Sequence, residues 1–105
     1  MEELVELQSI DENYLVEQLT ALGHVTRLRV VRELLAAPGG LPAGRIANSL
    51  SVRQNSLSPH LANLARSNLI SGRREGREVI YVAREENLGR LAQQMHSLVA
   101  SASGK

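Results

Sequence analysis

The sequence predicts a mainly helical α+β fold of about five helices and one β-hairpin, on the strength of three observations. Apolar residues recur at helical spacing through most of the chain. A tight turn at Ser51 separates two short helical segments, the second of which extends to about Asn68. Two β-prone segments, Ile70 to Gly72 and Val79 to Val82, flank an Arg-Arg-Glu-Gly-Arg tip. This order of elements is that of a winged helix-turn-helix.

The first two helices are bounded by capping and breaking residues. Ser9 and Glu12 have the spacing of a capping box, which predicts a first helix from about residue 10 to Leu22. Thr26 is expected to cap the second helix. A Pro-Gly-Gly sequence at 38–40 ends that helix.

The two helices on either side of Ser51 (the motif helices), the β-hairpin (the wing) and a last helix follow. Pro42 lies where a helix can begin without losing a needed N–H donor. Pro59 lacks an N–H, so the second motif helix is expected to be tightened or bent there. Gly76 is free to take a positive φ at the tip of the hairpin. The last helix is predicted from Glu86 to Ala100.

Each predicted helix has an apolar face that is expected to pack in the core. On the first and last helices these faces are larger than a small core requires. In chain order, the predicted core-facing residues are Leu15, Leu19, Leu22, Leu28, Val31, Leu34, Leu35, Ile46, Leu50, Val52, Leu57, Leu61, Leu64, Leu88, Leu91, Met95, Leu98 and Val99.

The length and composition predict one domain spanning residues 1–105. The sequence contains no cysteine, which excludes disulfides, thiolate metal sites and thiol redox chemistry. No apolar run approaches the ~18 residues of a membrane span. The acidic N-terminus lacks the basic head of a secretory signal. We therefore expect a cytoplasmic protein without a membrane partner.

The net charge of +1 conceals a strong asymmetry along the chain. Residues 1–20 carry six acidic and no basic side chains, whereas residues 45–77 carry six arginines and one glutamate. The positive charge therefore coincides with the predicted motif and wing, where it could neutralise DNA phosphates. The sequence predicts a protein that binds double-stranded DNA.

Two segments carry a resemblance to a known family. The segment ALGHVTRLRVVREL, from Ala21 to Leu34, and the segment NSLSPHLANLARSNLISGRREGREVIYV, from Asn55 to Val82, resemble the ArsR/SmtB family of bacterial winged-helix repressors. The similarity runs from about Leu19 to Val82. It implies a homodimeric repressor that binds an inverted-repeat operator, with the first helix (about 10–22) and the last helix (about 86–100) pairing across the two-fold axis.

The resemblance does not extend to the metal ligands of that family. The cysteines of its arsenic and cadmium sensors align with Pro42 and Gly44, which offer no side-chain ligand. The four zinc and nickel ligands of the family align with Ala83, Glu85, His96 and Val99. At most two of these residues, Glu85 and His96, could bind metal. We therefore expect no metal and no cofactor. Release from DNA, if it occurs, is expected to come from an organic ligand in the helical interface of the dimer, from a protein partner or from competition alone.

The candidate DNA contacts fall into three groups. Gln54, Asn55, Ser56 and Ser58 are expected to meet base edges in the major groove. His60 is a packing residue or a phosphate contact, with a structural or backbone role favoured. The arginines are expected to contact phosphates, and Arg73 and Arg77 are favoured over Arg74. Glu75 is expected either to temper the local positive field or to pair with a neighbour. The arginines are Arg45, Arg53, Arg73, Arg74 and Arg77.

The sequence disfavours two other function classes and leaves a third as the alternative. Catalysis is not expected, because Ser56 and Ser58 share a short helix with His60 and no acid is placed to orient a triad. Binding of single strands by stacking is disfavoured, since Tyr14 and Tyr81 are the only aromatic residues. A winged helix that docks proteins without binding DNA is the remaining alternative.

Overall fold

The computed structural model describes residues 11–103, and in this part of the chain it confirms the predicted winged-helix architecture. The elements follow one another in the order α1 (Glu12–Leu22), α2 (Val25–Leu35), β1 (Leu41–Pro42), α3 (Ala43–Leu50), α4 (Gln54–Arg66), β2 (Ile70–Glu75), β3 (Glu78–Ala83) and α5 (Glu85–Ser103). None of the helices in residues 11–103 is long and apolar enough to cross a membrane.

The first two helices are capped by residues other than those predicted. Asp11 caps α1 because its carboxylate accepts the N–H groups of Asn13 and Tyr14 at 3.0 and 3.2 Å. The predicted cap at Ser9 lies outside the described residues. Thr26 was wrongly predicted to cap α2; instead, His24 Nδ1 accepts the Thr26 N–H at 3.2 Å.

The sheet has a strand that the sequence did not predict. The two residues of β1 pair antiparallel with β3, which places β3 between β1 and β2. Gly40 directly precedes β1 and has φ +93°. A Cβ at this position would lie 2.7 Å from Ile80 Cγ2 and 2.9 Å from the Tyr81 carbonyl oxygen. A two-residue strand has no periodicity, so the sequence contained no signal for it.

The wing is longer than predicted. Its strands pair from Ile70 opposite Ala83 to Glu75 opposite Glu78, leaving a two-residue turn at the tip. The predicted positive φ of Gly76 is confirmed at +63°. Residues with high β-propensity occupy only part of β2, which explains why the arginine-rich portion was assigned to the loop.

The core surrounds α4. Leu57, Leu61 and Leu64 are at most 2% exposed and pack with Ile46 of α3. Pro59 lies inside α4, which is nevertheless one continuous helix.

Two core predictions for α2 were wrong. Leu28 and Leu35 are 53% and 43% exposed, whereas Val30 is fully buried. The buried face of α2 consists of Val30, Val31 and Leu34, and the two exposed leucines lie seven residues apart along a neighbouring face.

Some of the apolar residues predicted on α1 and α5 also remain outside the core. Leu15 and Leu91 are buried, but large apolar side chains on both helices are exposed. Of the predicted residues, these are Leu19, Met95, Leu98 and Val99; Val16, which was not predicted to face the core, is exposed as well.

The motif turn places Ser51 in the left-handed region, with φ 57° and ψ 42°. The N–H groups of Ser51 and Val52 donate to the carbonyl oxygens of Asn48 and Ala47 at 3.2 and 3.0 Å. This pattern ends α3 and redirects the chain into α4 within three residues. It favours glycine, so the serine is conformationally strained.

Replacing Ser51 with glycine should therefore stabilise the protein by about 0.5–1 kcal/mol, because glycine adopts this conformation without a Cβ penalty. Urea unfolding would measure the change. Ala62→Gly, at an exposed position inside α4, is the matched control and should destabilise by about 1 kcal/mol. A loss of stability in Ser51→Gly would contradict the assigned turn geometry.

Candidate nucleic-acid interface

The N-terminal half of α4 presents a polar, exposed face. Gln54, Asn55, Ser56 and Ser58 are all exposed, while Leu57 beside them is completely buried. The burial of the leucine face fixes the rotation of the helix, so the polar residues can only point outward. The Ser58 hydroxyl donates to the Gln54 carbonyl oxygen at 3.1 Å. The other polar side chains are available to a ligand such as a base edge.

The start of α4 lacks a side-chain cap. Arg53 holds the N-cap position in an extended conformation and makes no capping hydrogen bond. No acidic residue lies in the first turn. The free N–H groups and the positive end of the helix dipole are therefore not neutralised locally, and the exposed guanidinium of Arg53 adds to this charge. Such a terminus attracts anions.

His60 lies apart from this face. It is partly buried, and its Nδ1 accepts a hydrogen bond from Arg27 Nε at 3.1 Å. The His24 ring packs against it with a centroid separation of 4.4 Å. Burial, followed by the proximity of His24 and then of Arg27, lowers the pKa of His60 below 6.5. These contacts correspond to a packing role. No local pattern in the sequence indicates that His24 and His60 lie together.

The wing arginines differ in their surroundings. Arg73 Nε donates to Glu75 Oε2 at 2.7 Å, which confirms the expectation that Glu75 pairs with a neighbour. Arg74 lies opposite Val79 in the sheet register, whereas Arg73 lies opposite Ile80. Because residues paired across strands share a face, Arg74 and Arg73 project on opposite faces of the wing.

A groove of about 450 Å³ joins α4 to the wing and to the start of α3. It contains three of the predicted site residues, Gln54, Ser58 and Arg77. Tyr81 and Glu78 also line it, and neither was among the predicted site residues. Val79 lines the groove too, so the wing face that carries Arg74 is the one turned toward α4. The groove is lined by Pro42, Ala43, Gly44, Gln54, Ser58, Leu61, Arg77, Glu78, Val79 and Tyr81.

The remaining predicted contact, Arg45, is exposed on α3 and does not line the groove. The groove is lined by Pro42 and Gly44, which align with the cysteines of the arsenic and cadmium sensors that the sequence resembles. Within residues 11–103, no group of three or more histidine, aspartate or glutamate side chains is arranged to hold a metal ion.

Comparisons with known proteins agree with this geometry. Residues 22–73 match the family described as a helix-turn-helix domain. The transcriptional activator HlyU of Vibrio cholerae serotype O1 is 29% identical over 99 residues, which cover 92% of this chain and 90% of HlyU. The structure of an ArsR-like transcriptional regulator from Rhodococcus sp. RHA1 matches with a TM-score of 0.78 at 26% identity, covering 88% of this chain and 85% of that one.

These matches confirm a helix-turn-helix domain and a similarity to ArsR-like transcriptional regulators, in agreement with the resemblance to the ArsR/SmtB family. A further ArsR/SmtB-like fold is the homodimeric winged helix-turn-helix DNA-binding domain from Mycobacterium bovis, described as a possible ArsR-family regulator. It matches with a TM-score of 0.69 at 21% identity over 86% of this chain and 82% of that chain. At this identity the match supports the fold alone.

The surroundings of His60 predict that the stability of the protein depends on pH. Since its folded-state pKa is lowered, unfolding increases proton uptake below pH 6.5. The free energy of unfolding should therefore fall as the pH drops below 6.5 and level off once the folded-state pKa has been passed. Urea unfolding on both sides of pH 6.5 should show a smaller dependence in His60→Asn, which keeps an acceptor for Arg27.

The exposed His96 supplies the control, since His96→Asn also removes one histidine. That variant should retain the wild-type dependence on pH. An identical dependence in His60→Asn and the wild type would show that His60 is not the group that titrates.

Proposed function

We propose that this chain is a sequence-specific regulator that binds double-stranded DNA through α4 and the wing. The observation that carries the proposal is the exposed polar start of α4, which is uncapped and shares one groove with Arg77 of the wing. An α-helix of this kind fits the major groove, where glutamine and asparagine can pair with adenine. The wing arginines would then contact the flanking phosphates or minor groove.

The proposal divides the site residues by role. Gln54, Asn55, Ser56 and Ser58 contact bases, and the arginines at 45, 53, 74 and 77 contact phosphates. Arg73 has a smaller part than the sequence suggested, because in the free protein it is paired with Glu75. His60 acts through packing, by fixing α4 against Arg27.

We further propose that residues 1–105 form a single domain that dimerises through α1 and α5. Val16, Leu19, Leu98 and Val99 are between 39% and 62% exposed, which would leave an unusual amount of apolar surface on a monomer. Pairing these helices across a two-fold axis would present two copies of α4 to successive major grooves, about 34 Å apart. An inverted-repeat operator would match this symmetry.

The proposed regulatory role is repression. A dimer bound at a promoter blocks transcription by occupying the DNA and needs no contact with polymerase. The relative HlyU is described as an activator, a role that would instead require an operator placed where the bound dimer leaves the promoter accessible.

The DNA contacts are tested by comparing two kinds of variant on operator fragments recovered by selection from random DNA. Arg77→Ala should weaken binding to every sequence and reduce the salt slope by about one unit, because it removes a phosphate contact. Gln54→Ala should instead reduce the preference for operator over random DNA, at about 1–3 kcal/mol for a good base contact.

Fluorescence anisotropy at several salt concentrations would measure both effects. Arg84→Ala, outside the groove, is the matched control and should leave the slope unchanged. Failure of the unmodified protein to select any sequence would favour a winged helix that docks proteins instead of DNA.

Dimerisation is tested by placing a charge in the apolar stripe of α5. Leu98→Glu should weaken self-association by at least about a hundredfold, because each subunit loses about 2 kcal/mol of leucine burial. Light scattering at micromolar concentration should report twice the chain mass for the wild type and a lower mass for the variant. Gln93→Glu adds the same charge on the opposite side of α5 and should remain dimeric.

A further inference from the structure

A second cavity lies between α1 and the first half of α5. Its volume is about 190 Å³, and every side chain that lines it is polar. Helices that approach one another usually bury apolar side chains between them, so six residues with polar groups around one gap are unexpected for packing alone, although their carbon stems supply much of its wall. The lining residues are Asp11, Tyr14, Gln18, Asn87, Arg90 and Gln94.

One of these side chains is buried deeply. Gln18 is only 4% exposed, and its Nε2 donates to the Ser67 carbonyl oxygen at 3.2 Å. A carboxamide has both donors and acceptors to satisfy, and burying it is costly unless they find partners. Because Gln18 lines the cavity, a bound polar molecule could form hydrogen bonds with the donor and acceptor sites of its carboxamide that Ser67 does not use.

The cavity also carries one charge of each sign. Arg90 is its cation and Asp11 its anion, and the two do not form a salt bridge with each other. One Asp11 carboxylate oxygen accepts the N–H groups of Asn13 and Tyr14 in the first turn of α1. The remaining four lining residues are neutral hydrogen-bonding groups. A ligand that matches this pattern has a negative end, a positive end and a polar body.

We propose that this cavity binds a small zwitterionic aminocarboxylate, such as an α-amino acid. Its carboxylate would meet the Arg90 guanidinium, and its ammonium group would meet Asp11. The volume is equivalent to about six water molecules at the ~30 Å³ that each occupies in the liquid, which suits a molecule of this size.

The cavity is linked to the end of α4 by hydrogen bonds. Asn68 Nδ2 donates to the Tyr14 hydroxyl at 3.1 Å, and Asn87 Nδ2 donates to the Asn68 carbonyl oxygen at 2.8 Å. Gln18 holds the adjoining Ser67 carbonyl. Asn68 itself has φ +61° directly after α4. Three cavity residues therefore fix the point at which the proposed recognition helix ends.

A ligand that engages Tyr14, Gln18 and Asn87 competes with these bonds and loosens the end of α4. Binding in the cavity therefore weakens the affinity for DNA. This regulatory step rests on the proposed function, whereas binding of the ligand does not.

The site is tested first without DNA, by NMR titration of the full chain with L-serine, L-glutamine and L-glutamate. At least one of them should produce saturable shifts of the Tyr14 and Asn87 amide signals, with a further shift at Asn68. Arg90→Gln and Asp11→Asn, which keeps a capping side chain, should each weaken binding by about tenfold or more. Arg84→Gln removes an arginine outside the cavity and should bind as the wild type does.

Propionate and ethylamine each carry one of the two charged ends and should bind about tenfold more weakly than the amino acid. Equal binding of propionate would overturn the zwitterionic assignment. Absence of saturable shifts with all three amino acids, or unchanged binding in Arg90→Gln, would overturn the site itself.

The regulatory step is tested by operator binding with the amino acid at saturation. Affinity should fall by at least about fivefold in the wild type and stay constant in Arg90→Gln. Unchanged affinity in the wild type, with the ligand bound, would refute the coupling. If the protein binds no DNA under any condition, the proposed function fails while the NMR result still decides the site.

Discussion

The orientation of α4 depends on the burial of one leucine face. Leu57, Leu61 and Leu64 lie in the core with Ile46, and each is essentially inaccessible to water. Burying a leucine contributes about 1.5–3 kcal/mol, and a domain of this size is stable by about 5–15 kcal/mol in total. Rotating α4 by one residue would expose part of this face and remove much of the stability. The same burial that holds the fold therefore determines which polar residues face the solvent.

The two ends of α4 are fixed by different interactions. At its start, the left-handed Ser51 ends α3 and allows only two further residues before α4 begins. At its end, Asn68 adopts a left-handed conformation and is held by side chains of α1 and α5. The helix that we propose reads DNA is thus attached directly to the helices that we propose form the dimer. Changes between α1 and α5 would reach α4 through these hydrogen bonds and through the core that the three helices share.

The features that sequence could predict were those with a period or a local chemical signal. The leucine face of α4, the turn at Ser51 and the positive φ of Gly76 all have such a signal, and the structure contains each of them. The packing of His24 against His60 has none, because it depends on how α4 lies against the α1–α2 junction. Leu28 was assigned to the core for a related reason: helical periodicity identifies an apolar face without showing whether the same chain covers it.

The absence of cysteine from the chain allows the position of α4 on DNA to be tested directly. A single Asn55→Cys substitution would carry an iron chelate that cleaves nearby DNA, with the exposed Thr20→Cys on α1 as the control. If α4 lies in the major groove of an operator bound by a dimer, the α4 site should cleave at two symmetric positions, about one helical turn apart, and the α1 site should not cleave. Cleavage from Asn55→Cys no stronger than from Thr20→Cys would show that α4 does not lie against the DNA.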